Sequence, residues 1–169
     1  MTIKALQFNK FEMKSNENDK TVDLRGSGNP IIQYRESIFM PYVEITAFII
    51  DTGNTLPADD GSGAAVGLLD DGFAQGTETI LFNIEDVMGN KINLSKDTDL
   101  RVASVDNDYQ GFKNSSFKLT IVSKEAFDNT LLKNRVGGGE EKTDIKYSGK
   151  ISSIARSIVK ENLKSPKAQ

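Results

Sequence analysis

The chain has no cysteine, no histidine and no tryptophan, and only four prolines in 169 residues. Without cysteine there are no disulfides, thiolate nucleophiles or cysteine-based zinc or iron–sulfur sites. Without histidine there is no Ser-His or Cys-His catalytic unit, no His-ligated metal and no imidazole switch near neutral pH. Catalysis, if any, would rest on carboxylates, lysine, tyrosine or a Ser-Lys pair. Charge of one sign is also lacking: 21 basic residues face 24 acidic ones, for a net charge of -3. That balance supplies no field for binding nucleic acid in bulk. The start, MTIKALQFNKFEMK, lacks the basic cluster and unbroken apolar core of a signal peptide. No apolar run approaches the roughly 18 residues needed to span a bilayer. These features predict a soluble protein made in a cytoplasm, with no stable membrane association.

What is present is period-two alternation, the mark of half-buried strands. With 37% hydrophobic residues, the chain is expected to form one compact domain with a core of its own. Residues 1–19 read as an N-terminal arm. In TVDLRG, Val22 and Leu24 share a face. PIIQYRES (Pro30–Ser37) and PYVEITAFIID (Pro41–Asp51) read as consecutive strands, the second with Val43, Ile45, Ala47 and Ile49 inward. A long irregular stretch, 53–76, follows, longer than most connections in a compact domain and read as a functional or disordered loop. Strands resume at Thr77–Asp86, turn at MGNK through Gly89 and Asn90, and continue at Asp99–Asp106 and Asn114–Ser123, with NDYQGFK as a loop between the last two. The pattern then becomes helical: Ser123 caps SKEAFDNTLLKNR, VGGGEEK breaks it, and TDIKYS reads as a short strand. In the final helix Ile151, Ile154, Ala155, Ile158, Val159 and Leu163 form one apolar stripe. Pro166 stops it, and residues 165–169 read as a linker or tail. The expected fold is α+β and mainly β: a six- or seven-stranded antiparallel sheet or barrel with one or two packed helices.

Several short motifs invite chemical readings. FIIDTGNT places Asp51 in the Asp-Thr-Gly setting of an aspartic protease. Such an enzyme shares one proton between two facing aspartates. A single tripeptide here would require a homodimer, and the family's small residue after the glycine is replaced by Asn54. Its later apolar-apolar-Gly segment finds only AVG (Ala65–Gly67), too close downstream to leave room for a flap. A strand ending in turn-forming residues is the simpler reading. DNDYQG (Asp106–Gly111) imitates the opening of a calcium loop, but Phe117 stands where the bidentate glutamate belongs, so a polar hairpin loop is expected. ADDGSG and LLDDG hold paired carboxylates that read as acidic surface loops. GSGAAVG (Gly61–Gly67) lacks the Gly-Lys-Ser/Thr of a phosphate cradle. Lys150, Arg156, Lys160, Lys164 and Lys167 read as the solvated face of the last helix and its tail. No catalytic, cofactor-binding or metal-ligating residue is assigned.

The order of segments carries more than any motif. TVDLRGSGNPIIQYRESIFMPYVEITAFIIDTG, LLDDGFAQGTETILFNIEDVMGNKINL, FKLTIVSKEAF and NRVGGGEEKTDIKYSGKISSIARSIVKENLKS follow one another as in central baseplate hub proteins of contractile-tailed bacteriophages, which this chain resembles over residues 20–165. Within the last segment, Asn134, Arg135-Val136 and Gly149-Lys150-Ile151-Ser152 match the hub pattern. The resemblance implies a tail-tube-like domain over 20–164, a small antiparallel barrel or folded sheet with a helix on its flank. It also implies a structural role in a ring joining the tail tube to the central spike, with a channel through which DNA passes as cargo. Hub subunits carry two such domains and trimerise into a pseudo-six-fold ring. The single domain here leaves open a hexameric ring of the tail-tube-initiator or type VI secretion kind. The neighbours implied are spike and tail-tube proteins, and the location is the virion tail, assembled in the host cytoplasm.

Overall fold

A computed structural model describes residues 6–16, 20–26, 30–40, 42–53, 56–57, 65–69, 73–97, 99–110, 114–130 and 148–162. Its body is one antiparallel sheet. The strands are β1 (Gln7–Lys14), β2 (Thr21–Asp23), β3 (Ile31–Arg35), β4 (Glu44–Asp51), β5 (Leu56–Pro57), β6 (Ala65–Val66), β7 (Thr79–Glu85), β8 (Lys91–Leu94), β9 (Leu100–Gln110) and β10 (Ser115–Ser123). The main path runs β2-β1-β7-β9-β10-β4-β3, with β8 paired to β7, while β5 and β6 form a separate ribbon. The path ends on β2 at one side and β3 at the other, so the sheet is open rather than closed into a barrel.

β7 explains how the sheet folds over. Only Thr79 and Ile80 pair with β9, at Arg101 and Leu100, whereas Phe82 to Glu85 pair with β8. The sheet therefore splits below Leu100 and its two halves share one core. From β4 come Ile45, Ala47 and Ile49; from β10, Phe117, Leu119 and Ile121; from β7 and β1, Ile80, Phe82, Phe11 and Met13. Phe11 and Phe82 are register partners, with ring centroids 5.8 Å apart in an edge-to-face arrangement. Such a pair adds roughly 0.5–1.5 kcal/mol to the area it buries.

The stretch read as an arm contributes β1, which lies inside the sheet between β2 and β7. Its pattern escapes a period-two reading because Phe8 and Phe11 are three apart. A bulge between Phe8 and Lys10 leaves Asn9 unopposed and restores the alternation, so Phe8 pairs with Ile84 and Phe11 with Phe82. Arg25 closes the exposed side of this bulge. Its guanidinium donates to the Phe8 carbonyl at 3.3 Å and the Asn9 carbonyl at 2.9 Å, and it also pairs with Asp23. It thereby occupies edge groups that an incoming strand would otherwise use. β9 repeats the device: its register shifts at Thr120/Ile121 and Ser116/Phe117 leave Ala103 and Asp108 as extra residues.

The helices are short. α1 (Lys124–Thr130) follows β10 directly and lies against β9 and β10. Its start is fixed by the Lys124 amide donating to the Asp99 carbonyl at 2.9 Å and by a Lys124–Asp128 ion pair. α2 (Ile151–Ser157) continues as a π-helical turn over Ile158–Asn162. No residue of α2 is buried, in contrast to the packed helix expected from its apolar stripe, and Ile151 is 85% exposed. The expected strand TDIKYS, the tether VGGGEEK, residues 131–135 of the first helix, Leu163 and the 165–169 tail lie outside the described residues.

Candidate functional site

The residues that invite a catalytic reading are organisers of loops. Asp51 ends β4 with its side chain fully buried. One carboxylate oxygen accepts the Gly53 amide at 3.0 Å, and the other accepts the amide of Leu68. Leu68 belongs to the core, and its carbonyl in turn accepts the Ala74 amide at 3.1 Å. Asp51 thus ties the entrance of the long loop to a segment beyond the β5–β6 ribbon. Asp51 is buried at the foot of the loop rather than exposed in a cleft.

The exit of the same loop is held in the same way by Glu78, which sequence reasoning passed over. Its carboxylate is buried and accepts the amides of Gln75 at 2.7 Å, Gly76 at 2.9 Å and Thr77 at 3.0 Å. Three successive amides can converge on one carboxylate because Gly76 adopts φ +103, a conformation that disfavours any side chain. A glycine two residues before a glutamate, at the mouth of a strand, was the available signal. Asp99, also buried, accepts the Lys96 amide at 3.1 Å and positions the loop before β9.

At the surface, Asp86 builds the β7–β8 turn. It accepts the amides of Met88 at 2.8 Å and Asn90 at 2.9 Å, and the Asn90 side-chain amide at 2.8 Å. The hydrogen bonds from Asn90, with those of the turn amides, hold its carboxyl below the usual carboxylate range. Asp23 is lowered likewise, first by the hydrogen bond from Arg25. Tyr34 is pushed up to about 12, by burial and then by its 2.7 Å hydrogen bond to Glu36. Burial lowers Arg101, which donates to Thr79 Oγ1 at 2.6 Å and to the Asp97 carbonyl at 2.8 Å.

The imitation calcium loop is a strand. Asp106 to Gln110 continue β9, and Asp106 pairs with Lys118 at 2.9 Å across to β10. The polar hairpin loop expected there is therefore shorter than NDYQGFK, because the bulge at Asp108 lets the strand run on to Gln110. Among the described residues no group of three or more acidic side chains is placed to hold a metal ion. Asp59, Asp60, Asp70 and Asp71 lie outside them, as do residues 61–64 of the Gly-rich stretch; its Ala65 and Val66 form β6. Lys164 and Lys167 also lie outside. Arg156 and Lys160 line a surface concavity of about 290 Å³ with Ser152, Ser153, Ser157 and Glu161. All of these come from one helical segment, and among the described residues no second element lines the concavity.

The surface features that stand out are apolar. Ile38 and Phe39, at the β3–β4 turn, are 94% and 89% exposed. The turn that carries them is fixed by the Met40 amide on the Ser37 carbonyl at 3.0 Å and the Phe39 amide on Ser37 Oγ at 3.2 Å. Val87 and Met88 are exposed on the Asp86 turn, and Leu6 is exposed ahead of β1. Register brings Leu6, Val87 and Met88 together at the far end of β7, where Gln7 pairs with Glu85, while the Ile38–Phe39 turn follows Arg35, which is level with the start of β7 through Glu44, Val122, Arg101 and Thr79. A second apolar group, Ile31, Phe48, Ile50 and Tyr109, is exposed on the outer face of β3, β4 and β9. Comparison of the chain with family models, with curated proteins and with solved structures finds no match.

Proposed function

We propose that the chain is a non-enzymatic structural subunit of a ring assembly, of the baseplate-hub kind that its order of segments resembles. The observation that carries this reading is an open sheet whose terminal strands β2 and β3 each pair on one side only among the described residues, with exposed apolar side chains presented on hairpin turns. Free edges and apolar patches of this kind are what subunits complete for one another on assembly. In this reading the sheet is a tail-tube-like domain. Copies of it form a trimeric pseudo-six-fold ring or a hexamer between spike and tube proteins in the virion tail, with DNA passing through as cargo. The near-balance of charge suits a channel that does not retain phosphates.

Electron microscopy of the purified chain and of particles carrying it tests the proposal. Closed rings, or density at the junction of tube and spike, are expected; a monodisperse monomer that never enters particles would refute it. The protease alternative would need Asp51 to reach a substrate, and its burial against the Gly53 and Leu68 amides speaks for an anchor instead. Peptide cleavage at acid pH that disappears in Asp51→Asn would reverse this choice.

A further inference from the structure

The stretch between β4 and β7, described at residues 56–57, 65–69 and 73–77, is attached differently from the strands of the main sheet. Its backbone bonds are its own: β5 pairs with β6 at Leu56↔Val66 and Pro57↔Ala65, and the Ala74 amide donates to the Leu68 carbonyl. Among the described residues no backbone hydrogen bond joins it to the main sheet. Apolar side chains hold it instead. Leu56, Leu68, Phe73 and Ala74 are buried in the core, and Val66 and Leu69 pack against it. The ladders of the sheet are complete without it, with β4 paired to β10 from Glu44 to Asp51 and β10 paired in turn to β9. Lifting the stretch therefore breaks no rung of the sheet.

Its two roots are built as mirror images. At the entrance, Asp51 accepts the amide of Gly53, two residues on, at 3.0 Å. At the exit, Glu78 accepts the amide of Gly76, two residues back, at 2.9 Å. Both glycines have positive φ, +74 and +103, so each root bends where no side chain resists the turn. The roots differ in reach. Glu78 gathers the amides of its neighbours Gln75, Gly76 and Thr77, and the Asn16 side chain donates to the Thr77 carbonyl, which fixes the exit as a pivot. Asp51 also accepts the amide of Leu68, 17 residues away, so one of its oxygens reaches across to the far part of the stretch. That bond is a latch between the stretch and the end of β4.

We infer that these residues form a strap that opens as one unit while the sheet stays folded, turning at Gly53 and Gly76 and released where the Leu68 amide leaves Asp51. Few-residue hinges at the ends of an element are what such motions use. The Leu56–Val66 pairing and the Leu68–Ala74 bond tie the strap to itself, so its buried side chains leave the core together. The open form shows apolar surface on the strap and on the core it covered, and it is reached without global unfolding, as in other sub-global openings. The inference does not depend on the ring reading.

Native-state hydrogen exchange of the full chain, read amide by amide in low urea, tests the strap. The reporters are the Leu68 and Ala74 amides, with Lys118 and Leu119 of β10, a strand paired on both sides. Leu68 and Ala74 are expected to share one opening, at least tenfold more frequent than the one that frees Lys118 and Leu119. Its urea dependence is expected to be shallower, because less surface is exposed. Asp51→Asn is expected to lower the protection of Leu68 and Ala74 by the same factor, although the Ala74 amide is bonded to Leu68 and not to Asp51. Phe82→Leu, which thins the Phe11–Phe82 pair, weakens the closed and open forms alike. It is expected to lower the protection of Lys118 and Leu119 and to leave Leu68 and Ala74 unchanged. A loss at Leu68 alone in Asp51→Asn overturns the inference, as does a fall of all four amides together in Phe82→Leu. If Asp51→Asn does not fold, the wild-type chain decides: equal rates and equal urea slopes for all four amides mean that the strap opens only with the whole molecule.

Discussion

Asp51 and Glu78 show how backbone amides hold a buried carboxylate, their hydrogen bonds replacing those of water. For Asp51 this makes a sharp prediction. Asp51→Asn keeps the shape but turns one acceptor into a donor, which leaves either the Gly53 or the Leu68 amide facing an amide. A loss of about 1–3 kcal/mol is expected, the cost of one buried unsatisfied donor, read as a lower urea midpoint. Asp51→Glu, which keeps the charge but moves it, is expected to lose stability as well; unchanged midpoints in both variants would contradict the anchoring role. Tyr34 gives a prediction in pH. Its folded value of about 12 lies above the ordinary value near 10 that the unfolded chain has. The neutral hydroxyl is therefore favoured by folding, and the stability it contributes is complete below about pH 10 and lost as pH rises towards 12. Ultraviolet titration is expected to show one late tyrosinate that vanishes in Tyr34→Phe. The stability gap between wild type and variant is expected to narrow over that same range.

At the scale of elements, the strands that alternate strictly were legible in the residues, and the bulged ones were not. Ile45, Ala47 and Ile49, with Phe117, Leu119 and Ile121, point inward as period two predicts. Phe8 with Phe11, and Val102 with Val105, are three apart, and only the extra residues Asn9 and Ala103 bring each pair to one face. Asn9 is why period two misses β1, and the extra residue Asp108 is why the expected strand stops at Asp106 while β9 runs on to Gln110. The role of Asp51 as an anchor was half legible: Asp-Thr-Gly marks a strand end, but its bond to Leu68 depends on a contact between distant segments. The MGNK turn was legible in full. Gly89 has φ +87, and a Cβ there would meet nothing nearer than the Glu85 carboxylate at 4.0 Å. Gly89→Ala is therefore expected to cost about 1–2 kcal/mol through backbone strain alone. Gly26, which has open space and no such φ, is the control: Gly26→Ala is expected to change stability by no more than about 1 kcal/mol, in the stabilising direction. Equal effects at the two glycines would mean that strain is not what the turn imposes.

At the scale of the whole molecule, the two hairpin turns and the start of β1 present five exposed apolar side chains, Leu6, Val87 and Met88 together at the far end of β7 and Ile38 and Phe39 on the β3–β4 turn. Their turns are held by Ser37 and Asp86, so the side chains are presented on fixed backbones rather than on floppy loops. None contributes to the core, which separates their effect on folding from their effect on association. In the double variant Ile38→Ser with Phe39→Ser, the unfolding free energy is expected to stay within about 0.5 kcal/mol of wild type, as for surface positions away from packing. Sedimentation is expected to show smaller assemblies at the same concentration. The Phe82→Ala variant gives the opposite signature, because it opens a cavity beside Phe11: a loss of about 3–5 kcal/mol in stability, with association affected only through unfolding. If the Ile38/Phe39 variant instead unfolds at a lower midpoint and assembles as wild type does, the β3–β4 turn serves the fold and the surfaces that join the subunits lie elsewhere on the sheet.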